Sequence, residues 1–266
     1  MRKKLPLNAT EIHANLSTIS KALLSQLDVF TEIDSTNTYL MTQAQTDVLV
    51  GTACFTEFQT AGKGRRGRQW ISPRGQNICG SFLWKFHDVS KLNGLSLAIG
   101  IGVIRALTKQ GISNLGLKWA NDIYSDGKKL GGILIEATTH SNGSASVVVG
   151  VGLNLQLPSE IEAITQPYTD LQTVAPEFTS NRNVLIASLL NELLPIAATF
   201  EKQGLSAYLK EWCEFDCLTD KTVTLFANSK QIEGIVRGID ENGLLKLELK
   251  NGKIQTFSSG EVSFSA

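Results

Sequence analysis

The residues best suited to chemistry lie in one stretch, residues 59–73, QTAGKGRRGRQWISP. It sets Gly62, Gly64 and Gly67 among Lys63, Arg65, Arg66 and Arg68 with no acid between them. Glycines let backbone N–H groups come close to a ligand, and consecutive N–H groups with guanidinium forks form an anion site. A phosphate or a carboxylate is the natural occupant. An isolated run of this kind is more often a basic loop on a solvated face. Here apolar, strand-like segments at 51–58 and 78–84 bound it, so a scaffold is predicted to hold it, which is where functional loops sit. It is not a Walker A loop, since no Ser or Thr follows a Gly-Lys pair at the required spacing, and it is not a dinucleotide turn, since its glycines open no helix.

Four further clusters carry polar chemistry. Asp34-Ser35-Thr36-Asn37 follows a strand-like run at 29–33. Such residues are helix caps, yet capping accounts for one of them, and the others suit a cavity that binds a neutral urea or amide; both readings stand at this point. Lys118, Asn121 and Asp122 crowd a strand end. Lys129 precedes Gly131 and Gly132 at the lip of an apolar strand, where a lysine can reach a carboxylate or phosphate, or can be a plain edge lysine. Gly150 and Gly152 interrupt a buried strand, a mark of close packing against the backbone, and Asn154 follows them. Asp126-Gly127 is turn chemistry between two strands and carries no function.

The elements that position these groups read as follows. Residues 8–27 give one or two short helices with Asn8 and Ser17 as caps and an apolar stripe through Ile12, Leu16, Ile19, Leu23 and Leu27. A long apolar helix covers 90–110, a loop 158–181, and two helices 183–204 and 206–217, with Cys213 and Cys217 on one face of the second. From Thr219 the texture changes to five short alternating strands with Asn-Ser, Asp-Glu-Asn-Gly and Asn-Gly turns, a small β-barrel. The boundary falls near Leu218. A length of 266 residues, 42% hydrophobic and 19% charged, fits a globular protein with one large and one small domain. Equal counts of 25 basic and 25 acidic residues exclude a protein whose main task is coating nucleic acid. The four cysteines and three histidines make no zinc spacing, and the thiols are expected to be reduced and mostly buried. The basic start at residues 1–4 leads into no apolar signal region, and no run of about 20 apolar residues suggests a membrane span, so the chain reads as cytoplasmic.

Taken in order, DSTN (34–37), QTAGKGRRGRQW (59–70), KWANDIY (118–124), KKLGGILIE (128–136) and GVGLN (150–154), followed by a small barrel, closely resemble the biotin protein ligases. The resemblance runs from about Val29 to the end. It implies an α/β (α+β) catalytic domain of class II synthetase type over residues 1–218, with a mixed sheet and flanking helices, and an SH3-like barrel over 219–266. It also implies the short class of the family, since few residues precede Val29, with no DNA-binding domain, and it leaves a homodimer open.

The family's chemistry has two steps. Biotin's carboxylate attacks the α-phosphate of ATP, giving biotinyl-AMP and pyrophosphate, and a lysine of a biotin carboxyl carrier domain then takes the biotinyl group. By resemblance Ser35, Thr36 and Gln59 bind the ureido ring, and Asn37, Gly62, Gly132, Gly150 and Gly152 line the biotin site with Lys129. Lys63, Arg65, Arg68, Trp70, Lys118, Asn121 and Asn154 hold ATP and the adenylate. Lys129, Arg65, Arg68 and Asp122 act in catalysis. No protein motif for a metal is present; Mg²⁺ would come with ATP, near Asp122.

The chain departs from the family pattern at Lys63, where Arg is frequent, at Ala120, where Pro is usual, and at Ser265, where some members are basic. Two readings compete. One is a lipoate or octanoate ligase or transferase of the same superfamily, which lacks the GKGRRGRQW loop. The other is a non-catalytic biotin-binding regulatory protein, which would have no need of Lys129 and Arg65.

Overall fold

The computed structural model describes residues 5–45, 49–178, 181–227 and 230–264. The basic residues 1–4, the Asn228-Ser229 turn and Ser265 lie outside the described residues.

Two six-residue helices, α1 (Ala9–Ala14) and α2 (Thr18–Leu23), open the chain, each capped by the expected side chain: Asn8 accepts from the Glu11 N–H and Ser17 from the Ser20 N–H. Helices this short have little stability alone. They are held on the 22-residue helix α6 (Arg182–Gln203) by its asparagines: Asn183 Oδ1 accepts from the Asn8 N–H at 3.0 Å, and Asn191 Oδ1 from the Ser17 N–H at 2.8 Å. Ile12 and Leu16 are buried as the stripe predicts, but Ile19 is 64% exposed, because the chain turns between the two helices and resets the phase.

The central sheet has seven strands in the order β1-β2-β3-β7-β6-β5-β4: β1 (Gln26–Phe30), β2 (Thr52–Thr56), β3 (Asn77–Phe86), β4 (Gly116–Lys118), β5 (Asp122–Ser125), β6 (Lys128–Thr139) and β7 (Ala145–Asn154). Among the described strands of this sheet, β1 and β2 pair in parallel and the other neighbours antiparallel; α3 (Thr36–Gln43) makes the crossover between β1 and β2. The β5–β6 hairpin turns on Asp126-Gly127, both at positive φ, as read from the sequence.

One face of the sheet packs on α4 (Leu95–Lys109) and α6. These two helices approach so closely that a Cβ at Gly102 would stand 2.7 Å from the Ile196 and Leu193 side chains. α4 is shorter than the 90–110 expectation: Asp88 caps a 3₁₀ turn at Val89–Leu92, and Gly94, at φ 81°, breaks the chain before the helix begins. α3 covers part of the other face through Leu40, Ala44, Cys54, Leu83 and Val148, and the rest of that face is left for the site.

The 158–181 stretch is less loop-like than expected. It pairs Tyr168 with Lys129 and carries the one-turn helix α5 (Leu171–Val174). α7 (Ser206–Phe215) ends before Cys217, so Cys213 and Cys217 do not share a helix face; Cys217 instead donates its N–H to Leu117 O at the sheet edge. The thiols are also more accessible than expected: Cys54 and Cys79 are buried, whereas Cys213 is exposed and Cys217 half-buried.

The C-terminal strands β8 (Thr222–Ala227), β9 (Lys230–Ile239), β10 (Leu245–Leu249), β11 (Ile254–Phe257) and β12 (Glu261–Phe264) form a five-stranded antiparallel sheet in the order β11-β10-β9-β8-β12. Its inward residues, among them Val223, Leu225, Val236 and Leu247, join the same apolar core as α4 and α6. The Gly243 turn rests on Leu97 and Leu205, and its carbonyl accepts from Trp119 Nε1 at 2.9 Å. α6 is long and apolar enough to cross a membrane by length and composition, yet Leu185, Ile186, Leu189, Leu193, Ile196 and Phe200 along it are buried in this core.

Candidate active site

Strand register builds the floor of the site. Reading straight across the sheet, Thr56 pairs with Cys79, Cys79 with Gly152, Gly152 with Gly132, Gly132 with Asp122, and Asp122 with Lys118. Two residues along, on the same face, Ser81 pairs with Gly150 and Gly150 with Leu134. Glycines at the middle of both rows leave a trough in a sheet that side chains would otherwise fill. The trough is a cavity of about 150 Å³, closed on one side by the N-terminus of α3 and on the others by the basic loop and by Gly260 and Glu261 of the C-terminal unit.

At the α3 end the DSTN residues divide their tasks. Ser35 caps the helix, Asp34 accepts the Ser35 N–H, and Thr36 and Asn37, 3% and 4% exposed, turn toward the trough. Gln59 Oε1 accepts the Thr36 N–H at 2.9 Å, which leaves the Gln59 amino group toward Gly62 and the cavity. Thr36 Oγ1 meets Ser81 Oγ at 2.7 Å, Ser81 donates to Asn37 Oδ1 at 2.6 Å, and Asn37 Nδ2 donates to Glu136 at 2.8 Å. The groups that face this end of the cavity are polar and uncharged, with the Glu136–Lys63 pair set behind Asn37, which suits a neutral ring with its own donors and acceptors.

The opposite end is cationic. Lys129 Nζ sits 2.8 Å from Asp122 Oδ1 and 5.9 Å from the centre of the Trp70 ring. Trp70 lies on Gly152 so closely that a Cβ there would stand 2.6 Å from the indole. The loop that carries Trp70 is a closed hairpin: Trp70 donates its N–H to Gly62 O, Gly64 to Arg68 O, and the turn at Arg65–Gly67 places Arg66 and Gly67 at positive φ. Arg68 pairs with Glu261 at 2.5 Å, and Arg66 reaches Phe226 O, so this loop is fastened to the C-terminal sheet. Burial holds the Arg65 guanidinium and the Lys118 ammonium below their ordinary values, with Asp122 pulling both back up. Lys118 also stands over the Tyr124 ring at 5.0 Å and the Phe264 ring at 5.5 Å. A half-buried group of cations that outnumbers its two carboxylates, Asp122 and Glu261, is a place to hold phosphate oxygens out of bulk water.

Most residues singled out from the sequence meet here: Ser35, Thr36, Asn37, Gln59, Lys63, Arg65, Arg68, Trp70, Lys118, Asn121, Asp122, Lys129, Gly132, Gly150 and Gly152 all line the cavity. Gly62 shapes the loop behind it, where a Cβ would stand 2.5 Å from Trp70 O. Asn154 is drawn away: its amide donates to Thr169 O at 2.9 Å and accepts from Asn77, which makes it the satisfied buried asparagine of the plainer reading. Ser81, Glu136, Cys79 and Glu261 were not visible as site residues. Each is a single residue in a strand, and only the register places it beside residues remote in sequence. Among the described residues no group of three His, Cys, Asp or Glu side chains is placed to hold a metal.

Comparison with known proteins agrees with this arrangement. The biotin/lipoate A/B protein ligase family model matches residues 29–154, and the biotin protein ligase C-terminal domain model matches residues 220–265. The bifunctional ligase/repressor BirA of Salmonella typhimurium is 39% identical over 97% of this chain and 78% of its own length. The biotin–[acetyl-CoA-carboxylase] ligase of Mycobacterium tuberculosis is 32% identical over 89% of this chain and 88% of its own. The biotin protein ligase of Aquifex aeolicus solved with biotin and ATP superposes with a TM-score of 0.75 at 26% identity, covering 91% of this chain and 99% of that one. With its fold, its glycine-floored cavity and both of its matched segments in agreement, the chain belongs to the biotin/lipoate A/B protein ligase family.

Proposed function

We propose that the protein activates biotin with ATP and passes the biotinyl group to a lysine of a carboxyl carrier domain. The observation that carries this reading is the division of one cavity between an uncharged donor and acceptor array (Thr36, Asn37, Gln59, Ser81) and a cationic end centred on Lys129. A cyclic urea fits the first, and a carboxylate meeting a phosphate fits the second. A dithiolane or an alkyl chain would leave the polar array unmatched, which disfavours a lipoyl or octanoyl substrate.

In the first step a carboxylate oxygen of biotin bonds to the α-phosphorus and pyrophosphate leaves with the electron pair of the broken P–O bond. Two anions must meet, so the step depends on positioning and charge neutralisation. Lys129 bridges the carboxylate and the α-phosphate once it gives up its pair with Asp122. Arg65 and Arg68 hold the acyl-phosphate, Lys63 and Lys118 add positive charge at the rim, and Trp70 and Asn121 frame the adenine. In the second step the carrier lysine's amine attacks the acyl carbon, AMP leaves, and Asp122 is placed to take the amine's proton. Mg²⁺ would enter with the triphosphate, and the only protein ligand we assign it is Asp122, a single carboxylate, which is enough where phosphate oxygens and water supply the rest.

We draw the boundary between the catalytic unit and the C-terminal unit at residue 218, where the five-stranded sheet is about to begin and the second matched segment follows. Dependence on ATP and a carrier protein suits the cytoplasm. Mass spectrometry of the products formed from ATP with biotin, lipoate and octanoate in parallel tests the reading. A biotinyl-AMP product supports it, and a lipoyl or octanoyl product, or none, refutes it.

A further inference from the structure

Glu136 lies outside the cavity's lining, at the far end of the chain of side chains that faces the ring. Each contact in that chain has a direction. The Glu136 carboxylate accepts, so Asn37 must turn Nδ2 to it at 2.8 Å; the reversed amide would set two oxygens against each other. Asn37 Oδ1 therefore faces Ser81, which must donate at 2.6 Å. With its proton spent, Ser81 can only accept at the 2.7 Å contact, so the one Thr36 hydroxyl proton goes there rather than to Gln59 Oε1, which lies farther off at 3.2 Å. Thr36 Oγ1 then meets a ligand as an acceptor only, while Gln59, its Oε1 held by the Thr36 N–H, meets it as a donor. An acceptor beside a donor is what the adjacent N–H and C=O of a cyclic urea require.

The chain is built for this task. Thr36, Asn37 and Ser81 are 3%, 4% and 2% exposed, and Gly150 clears the space for Asn37, since a Cβ there would stand 2.1 Å from Asn37 Oδ1.

We propose that Glu136 is a positioning residue for ring recognition: its contact with Asn37 sets the direction of the Asn37–Ser81–Thr36 hydrogen bonds and so fixes which cavity atoms accept and which donate. The inference rests on the biotin reading above. Lys63 Nζ, 3.9 Å from the other carboxylate oxygen, gives Glu136 a second neighbour, and the test must separate the two.

An exchange of donor and acceptor does so. In Asn37→Asp a second carboxylate faces Glu136. When Asn37→Asp is combined with Glu136→Gln, the new glutamine amide donates to the new carboxylate, whose other oxygen still accepts from Ser81, so the direction is restored at unchanged net charge. Steady-state adenylate formation is measured with biotin and ATP varied in turn, with a thermal melt for each variant. N37D is expected to raise the biotin KM by about 10- to 100-fold, the range for a buried polar group left unpaired. The ATP KM should change by less than about threefold, since ring binding is shared by ground and transition states. The double variant should recover to within about fivefold of the parent, in proportion to the restored hydrogen bond.

A double variant no better than N37D, or a fall in kcat at unchanged biotin KM, overturns the proposal. If N37D does not fold, Glu136→Leu and Glu136→Gln decide. The glutamine oxygen can still accept from Asn37, so E136L must raise the biotin KM at least about tenfold more than E136Q does, and equal effects would assign Glu136 to Lys63 instead. A parent enzyme that forms no biotinyl-AMP refutes the ligase reading itself, whereas an active parent with uncoupled variants refutes only the role of Glu136.

Discussion

Replacing Gly152 with alanine tests whether Trp70 is the adenine platform. A Cβ at 152 would lie 2.6 Å from indole carbons Cε2 and Cζ2. Carbon atoms settle about 3.5 to 4.0 Å apart, so something must retreat by about 1 Å. β7 cannot, because it is hydrogen-bonded along its length to β3 on one side and β6 on the other. Trp70 can, because it is only partly buried and sits at the end of the hairpin loop. The ring is therefore expected to tilt off the floor while the sheet stays as it is. Stacking of a base on an aromatic ring is worth about 1 to 3 kcal/mol, so the ATP KM should rise by about 5- to 150-fold. The biotin KM should move by less than about threefold, since the ring-recognition residues lie two register rows away. Pyrophosphate exchange at saturating biotin with varied ATP measures the first, and the reverse titration the second. A folded G152A variant with the parent's ATP KM would show that the indole contributes nothing to nucleotide binding, and equal rises in both KM values would mean a general distortion of the trough.

Further outcomes follow from the same geometry. Lys129→Ala should lower adenylation by about 10²- to 10³-fold, the range for loss of one preorganised charge-stabilising donor, while calorimetry still detects biotin; near-parental pyrophosphate release would refute the role of Lys129. Arg65→Gly should let the adenylate escape and label unrelated lysines, and unchanged off-target biotinylation would count against its retention role. Glu261→Gln removes the partner of Arg68; the pair is about half exposed, so stability should fall by no more than about 1 kcal/mol, but the 62–70 loop should become easier to cleave by protease. A loop as resistant as the parent's would refute the idea that this pair fastens it. Stability should also decline in alkali, because burial raises the Cys79 thiol from 9.0 to about 11 and the Cys54 and Cys217 thiols further still. A raised pKa stabilises the fold fully below pH 9 and is lost as pH rises through about 11, with up to about 3 kcal/mol at stake. Lys118 works the other way, since its lowered value relieves a desolvation penalty as pH rises toward 10.5. Cys79→Ala should make the decline in melting temperature between pH 9 and 11 shallower by one thiol's share, Cys54 and Cys217 carrying the rest, and an unaltered slope would assign the alkaline sensitivity to those two.

What the sequence disclosed and what it withheld divide along a physical line. Groups clustered within a few residues were legible, because local spacing makes their chemistry visible: the basic glycine loop, Lys129 before its glycine pair, and the caps Asn8 and Ser17, which the structure confirms as caps. The DSTN turn was ambiguous for a good reason, since Ser35 is both the cap of α3 and part of the cavity wall. The partner of Asn154 was hidden from local spacing, because the loop carbonyl that takes its amide, Thr169 O, lies 15 residues on in a stretch with no periodic signal. Ser81 and Glu136 were invisible for the same kind of reason: each is one polar residue on an apolar strand, and Asn37, their common partner, lies 44 and 99 residues away.

The glycines join the two classes. Gly150 and Gly152 could be seen as places where something must pack, but not what. Asn37 lies against the first and Trp70 against the second; on the proposed function the first belongs to the ring end of the cavity and the second, which the resemblance assigned to the biotin site, to the nucleotide end. Two residues apart on β7, these glycines therefore set the spacing between the two halves of the substrate. A side chain at either should disturb its own half first, which is why Gly150→Ala is expected to raise the biotin KM and Gly152→Ala the ATP KM. If both substitutions weakened the same substrate, the cavity would not be divided as described.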